Sequence, residues 1–311
     1  MKLSGISIFA GASCMAVAAA DRQERLEVRR GDDVVFAWQK QPLSNPVGGE
    51  KFAASAFIHS MRTPAGFEWT LIQPADHLHH FGLWWPWKFI EIDGRKFNCW
   101  EIQEGEGDHV AREVKALPSK GGLMSWEFTN ETRIKRPDSA PLAVIRETAT
   151  VSLLLDKDAN TLDISLVQKA LGRPVTIMPY RYSGFTWRGP ASWNKDNSTL
   201  TSSEGGNRET ANGTHARWLL ANGPGIDGPV FVLIMSAASK LAGKPEKLRV
   251  WNADSHDGTP FVNFNPVADD SIPLDDAHPA VSSRKYRIIA ADRAIDATAA
   301  GAEWEKWMAE P

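Results

Sequence analysis

Cysteine is almost missing from this chain. Cys14 and Cys99 are the only two in 311 residues, which excludes a disulfide framework. A dominant charge is missing as well: the formal net charge is -3 and no basic stripe runs along the sequence, so a nucleic-acid surface has nothing to build on. Past the N-terminus no apolar run approaches the roughly 20 residues that span a bilayer. No Gly-x-Ser-x-Gly elbow marks a serine hydrolase, no strand, glycine loop and helix in succession mark a phosphate cradle, and no fixed period marks a propeller or solenoid. Tyrosine is scarce, with three residues against thirteen tryptophans. Hydrophobic residues at 42% and charged residues at 23% are ordinary for a globular protein.

The N-terminus has Lys2, an apolar run from Ile6 to Val17, and Ala18-Ala19-Ala20 ahead of Asp21-Arg22. That is the layout of a secretory leader with a small-residue cleavage site, and cleavage is expected after Ala20. The expected organisation is a leader over 1–20 and a single domain over 21–311, secreted or periplasmic. Only Cys99 then remains, so stability must come from packing.

Period-two alternation dominates the rest. Arg25 to Arg30 and Asp33 to Lys40 flank Gly31-Asp32 as an opening hairpin. Ala143, Ile145, Ala149, Val151 and Leu153 alternate with polar residues, as do Leu162, Ile164 and Leu166, which predicts half-buried antiparallel strands. Further strands are expected at Phe52 to His59, Phe89 to Ile92, Val110 to Leu117, Met124 to Arg133, Ala216 to Leu220, Val230 to Met235, Leu248 to Trp251 and Arg284 to Ala290. The fold class is therefore all-β: a large antiparallel β-sandwich, with a supersandwich as one form of it. One C-terminal helix is expected over Ala294 to Met308, with Ala302, Trp304, Trp307 and Met308 sharing a face.

Chemistry concentrates in Asp76-His77-Leu78-His79-His80, which runs into Phe81-Gly82-Leu83-Trp84-Trp85-Pro86-Trp87. Imidazoles supply near-neutral acid/base chemistry or nitrogen for a metal, and indoles make flat apolar walls of the kind that stack on sugar rings. On an extended backbone His77 and His79 would share one face and His80 the other. His77 and His79 could hold a divalent metal ion, with His59, Glu101 or Glu104 as further ligands; the cofactor's identity is unknown from sequence. Asp76 follows Pro74-Ala75 and reads first as a turn residue. Tyr180-Arg181-Tyr182 would set both phenols on one face and a guanidinium on the other, with Trp187-Arg188 just beyond. Glu204-Gly205-Gly206-Asn207-Arg208-Glu209 is a polar loop leading to the tight turn Ala211-Asn212-Gly213, and Glu204 is its best acid or base.

The histidine tract is similar to the signature of a bacterial family labelled "PmoA-like" or "methane oxygenase". Tyr182-Ser183-Gly184-Phe185-Thr186-Trp187-Arg188, the stretches Thr201 to Gly205 and Ala211 to Trp218, and Phe264-Asn265-Pro266 resemble the same family in order along the chain. The resemblance implies a secreted β-sandwich of bacteria that degrade glycans, with no reaction attached. The methane-oxidising enzyme the label evokes is an integral membrane protein, whereas this sequence has no span beyond its leader. The chain departs from the family at Phe81, where arginine is frequent.

The reading this supports is a secreted carbohydrate-active enzyme, a lyase, hydrolase or isomerase acting on a small carbohydrate or glycoside. His77, His79, His80 and Glu204 would share proton transfers, with Arg181 and Tyr182 steadying developing charge. Trp84, Trp87, Trp187, Arg188, Arg208 and Asn212 would bind substrate. A non-catalytic glycan-binding module and a metal-dependent oxidase are the alternatives.

Overall fold

The computed structural model describes residues 17–237, 245–275 and 284–310. Most of the expected leader, with Cys14, lies outside them. Two eight-stranded antiparallel sheets form the body. The first runs in the spatial order Val17–Asp21, Arg25–Arg30, Asp33–Gln39, Ile58–Met61, Leu83–Trp84, Phe185–Arg188, Phe261–Asn265, Lys247–Val250. The second runs Gly107–Lys120, Leu123–Arg136, Ser139–Leu155, Asn160–Ala170, Arg284–Ala291, Pro229–Ser236, Trp218–Pro224, Thr199–Ser202. A smaller sheet of Ile272–Leu274, Val175–Ile177, Phe89–Ile92 and Arg95–Asn98 and a hairpin of Leu43–Asn45 with Gly49–Ala54 complete the strands. The edge strand Val17–Asp21 pairs with Arg25–Arg30, so cleavage after Ala20 would remove four of its five residues.

Inward-pointing side chains of the two sheets meet in one core. Trp38 stacks on Phe128 with ring centres 4.3 Å apart, and Phe185 on Tyr286 at 4.2 Å. Alternation along Ser139–Leu155 buries Ile145, Ala149, Val151 and Leu153 as expected, but the same row also buries Glu147. Its register partners Asn130 and Gln168 are buried beside it. A polar row thus crosses three strands inside the apolar sandwich.

The helix Ala297–Met308 covers the outer face of the second sheet, its N-terminus capped by the Asp296 carboxylate accepting from the Ala299 N–H at 2.8 Å. Ala300, Trp304 and Trp307 face the sheet, whereas Ala302 and Met308 point to solvent. The expected shared face fails because two residues on a helix lie about 200° apart, which separates 302 from 304. The expected Phe52 to His59 strand is also broken, by Ser55 to Phe57, where Ala56 adopts φ +59°. Among the described residues no helix is long and apolar enough to cross a membrane.

Gly82 fixes the entry of the histidine segment into the first sheet. Its φ is +58°, and a β-carbon there would lie 2.4 Å from the Ile58 carbonyl oxygen. Gly82→Ala is expected to lower stability by about 2 kcal/mol or more. A drop in the urea midpoint at unchanged slope measures it.

Candidate functional site

The expected extended run of histidines is instead a pair of tight turns. The His77 N–H donates to the Pro74 carbonyl at 2.9 Å, and the His80 N–H to the His77 carbonyl at 3.0 Å. Turning replaces alternation with clustering, so all three imidazoles meet. Ring centres lie 5.5 Å apart for His77 and His79, 4.5 Å for His77 and His80, and 5.0 Å for His79 and His80.

A second loop, 251–260, brings Trp251 and His256 against this cluster. The His256 and Asp257 backbones take φ +52° and +55°, a conformation costly for non-glycine residues. It sets the His256 ring 4.7 Å from His77 and 4.2 Å from Trp251. Asp76 ties the loops together: its Oδ2 lies 2.8 Å from Arg188 Nη2, 3.2 Å from His256 Nδ1 and 3.3 Å from His77 Nδ1. Arg188 also lies over the Trp251 ring at 4.5 Å.

Trp100 and Glu101, just beyond the strand Arg95–Asn98, and the irregular segment 180–182 supply a third side. The Tyr182 hydroxyl donates to Glu101 Oε1 at 2.7 Å, and Lys88 forms a close ion pair with the same carboxylate. His77, His79, Glu101, Tyr182 and Trp251 line a cavity of about 220 Å³ together with Trp100, Arg181, Arg249, Ser255 and His256. His79 and Trp100 also line an adjoining narrow hollow with Trp84, Phe81 and His109.

Burial sets the protonation states. It depresses His77, takes His79 down to about 4, and pushes His80 well below the imidazole range, so these rings are neutral proton acceptors near neutral pH. Burial alone would raise Glu101, but the Lys88 and Tyr182 hydrogen bonds outweigh it and hold the carboxyl low. The Asp76 carboxyl is likewise held low against burial, chiefly by Arg188. Tyr182 rises through burial and its bond to Glu101.

A profile of one protein family matches residues 25–305. The chain belongs to DUF6807, a family of unknown function. No curated protein matches it. Among solved structures, a galactose mutarotase related enzyme from Lactobacillus acidophilus is 7% identical with a TM-score of 0.39, covering 88% of this chain and 96% of its own. An Escherichia coli K12 protein provisionally described as an aldose 1-epimerase is 10% identical with a TM-score of 0.35, covering 93% and 99%. The GH36 α-galactosidase AgaB of Geobacillus stearothermophilus is 9% identical with a TM-score of 0.37, covering 92% of this chain and 40% of its own. Likeness at this level says nothing about chemistry.

In this DUF6807 chain His77, His79, His80, Arg181 and Tyr182 gather at one cavity. His80, however, is only 2% exposed and boxed by Trp84, Trp251 and Phe261, so it packs more than it reaches. Glu204 is elsewhere. It pairs with Arg217, which lies over Trp304 of the C-terminal helix, on the outer face of the other sheet. Trp87 and Trp187 are fully buried, with their N–H groups donating to Gln168 and the Trp69 carbonyl, and cannot form a wall. Trp84 faces the narrow hollow, and the cavity's indoles are Trp100 and Trp251. Arg188 is buried on Asp76, and Arg208 is buried on the carbonyls of Ser198 and Gly258. Asn212 does not line the cavity but accepts from Arg249 Nη1 at 2.9 Å and so positions a residue that does. Sequence reading passed over Trp100, Arg249, Trp251 and His256. The signal for Trp251 and His256 was the stretch Trp251 to Gly258, the same pairing of indole and imidazole in a turn as in the first tract.

The proposed metal ligands separate. His77 joins Asp76 and His256 in a group whose ligand atoms lie within 4.8 Å of one another, and His79 is outside it. Two imidazoles and a carboxylate are a divalent-ion donor set. The fit is poor, because the Arg188 guanidinium already occupies Asp76 Oδ2 and places a fixed positive charge beside it. His59 bonds Thr70 and Glu104 bonds Asn98, both away from the cavity.

Proposed function

We propose that this protein is an exported carbohydrate-active enzyme that moves a proton on a monosaccharide-sized sugar. One observation carries the reading: neutral imidazoles, an ionised carboxylate with its phenol, and two indoles share a single cavity. At about 220 Å³ it falls below the roughly 300–1,000 Å³ of sites for drug-sized ligands, so it suits one ring rather than a chain. His79, supported by His77, would accept the proton, from a hydroxyl or from carbon beside a carbonyl. Glu101, in place of Glu204, would hold the Tyr182 phenol so that its oxygen accepts from a sugar hydroxyl, and Arg181 would steady developing oxygen charge.

The test is a panel of aldoses, ketoses and simple glycosides followed by proton NMR in heavy water. Turnover or solvent exchange at a sugar position supports the enzyme. Affinity without either selects a glycan-binding module. The methane-oxygenase label carried by the PmoA-like resemblance needs a redox metal, and copper or iron at stoichiometric level in the purified protein would favour it instead.

A further inference from the structure

We propose that the sugar taken by this cavity carries an anionic group, a carboxylate, sulfate or phosphate, held between Arg181 and Arg249. The inference rests on the cavity being a sugar site and adds the substrate's charge. It follows from the fixed charges in the cavity's walls and of the groups paired behind them. Lys88 is closed by Glu101, and Arg188 by Asp76, so those four groups cancel in pairs. What remains uncompensated is a pair of guanidiniums.

Neither has an acidic partner among the described residues. Arg249 donates only to the neutral amide of Asn212, and Arg181 lies over the rings of Tyr180 and Tyr182 at 6.0 and 5.6 Å. Burial and then the charge of Arg181 destabilise the Arg249 cation, so the two repel across the hollow. Single unpaired arginines on a surface are ordinary. Two that line one half-open hollow, Arg181 exposed and Arg249 half-buried and bonded to a turn asparagine, are different. The whole chain carries -3, so the positive hollow is not a by-product of a basic protein. Guanidinium forks match carboxylate, sulfate and phosphate oxygens in pairs. The other polar groups of the cavity then face the neutral remainder of the ring.

Calorimetric titration tests this with glucuronate, galacturonate, glucose 6-sulfate and glucose 6-phosphate against neutral glucose and galactose. The three anion types identify which group is preferred. At least one acidic sugar should bind tenfold or more tightly than its neutral parent, and more weakly as salt rises from about 50 to about 300 mM. Arg181→Gln and Arg249→Gln should each weaken the acidic sugar about tenfold to a hundredfold, and by clearly more than they weaken the neutral parent. Arg181 is the more exposed of the two, so its variant guards against misfolding at Arg249. Equal affinity for neutral and acidic sugars, or equal losses for both in the variants, overturns the charge inference and leaves the sugar site standing. Binding of no sugar of either kind overturns both.

Discussion

His79→Ala is expected to lower turnover of the accepted sugar by about a hundredfold to ten-thousandfold, with little change in melting temperature. Of the clustered imidazoles, His79 is the one shared by the cavity and the narrow hollow. Its low affinity for protons keeps the ring neutral at any pH above about 4. The Glu101 charge is the main attraction opposing that depression and would favour the imidazolium once the proton arrives. His80→Ala should act differently, through lost packing against Trp84, Trp251 and Phe261, and appear first as lower stability. Measuring kcat and the melting curve for both variants separates the roles. Wild-type turnover in His79→Ala would take proton transfer away from this residue.

Glu147→Leu is expected to cost about 3–5 kcal/mol, because it strips the acceptor from donors sealed inside the sandwich. Glu147 is 0% exposed. Its carboxylate accepts from the Trp85 indole at 2.6 Å, the Asn130 amide at 2.9 Å and the Gln168 amide at 2.5 Å. His109 Nε2 lies 3.5 Å away. For a chain of this size the loss corresponds to a fall in Tm of roughly 5–8 °C. Burial alone would raise this carboxyl, yet His109 and the other donors outweigh it and bring it from 4.5 to about 2. A carboxylate held below its unfolded value contributes stability that is complete above pH 4.5 and is lost as pH falls toward 2. The contribution is on the order of 3 kcal/mol. Wild type should therefore lose about that much more than Glu147→Gln across this acid window in urea titrations. Parallel pH profiles for the two proteins would show that the network is held by shape alone.

Strands were legible where a turn signal or an apolar run with sharp ends marks them. The hairpin of Arg25–Arg30 with Asp33–Gln39 and the strand Phe89–Ile92 match their patterns to within a residue. The indoles were not legible in the same way. Trp84, Trp85 and Trp87 lie within four positions, yet they enter three different clusters: outside the first sheet, between the sheets, and under the small sheet. Hydrophobicity alone cannot tell these destinations apart. The cavity was half legible. Its imidazoles are neighbours in sequence, whereas the choice of Glu101 over Glu204 depends on which loops the pairing of distant strands brings to one face. Glu147 carried a readable sign, an acid in the inward register of an apolar strand.

The carboxylate of Asp76 reaches Arg188, more than a hundred positions onward, and His256 further still. Its partners belong to segments that become neighbours only when Leu83–Trp84, Phe185–Arg188 and Phe261–Asn265 have zipped together. An unfinished chain would possess every base and no receptacle. The cavity is therefore complete only once these strands, distant in sequence, have paired.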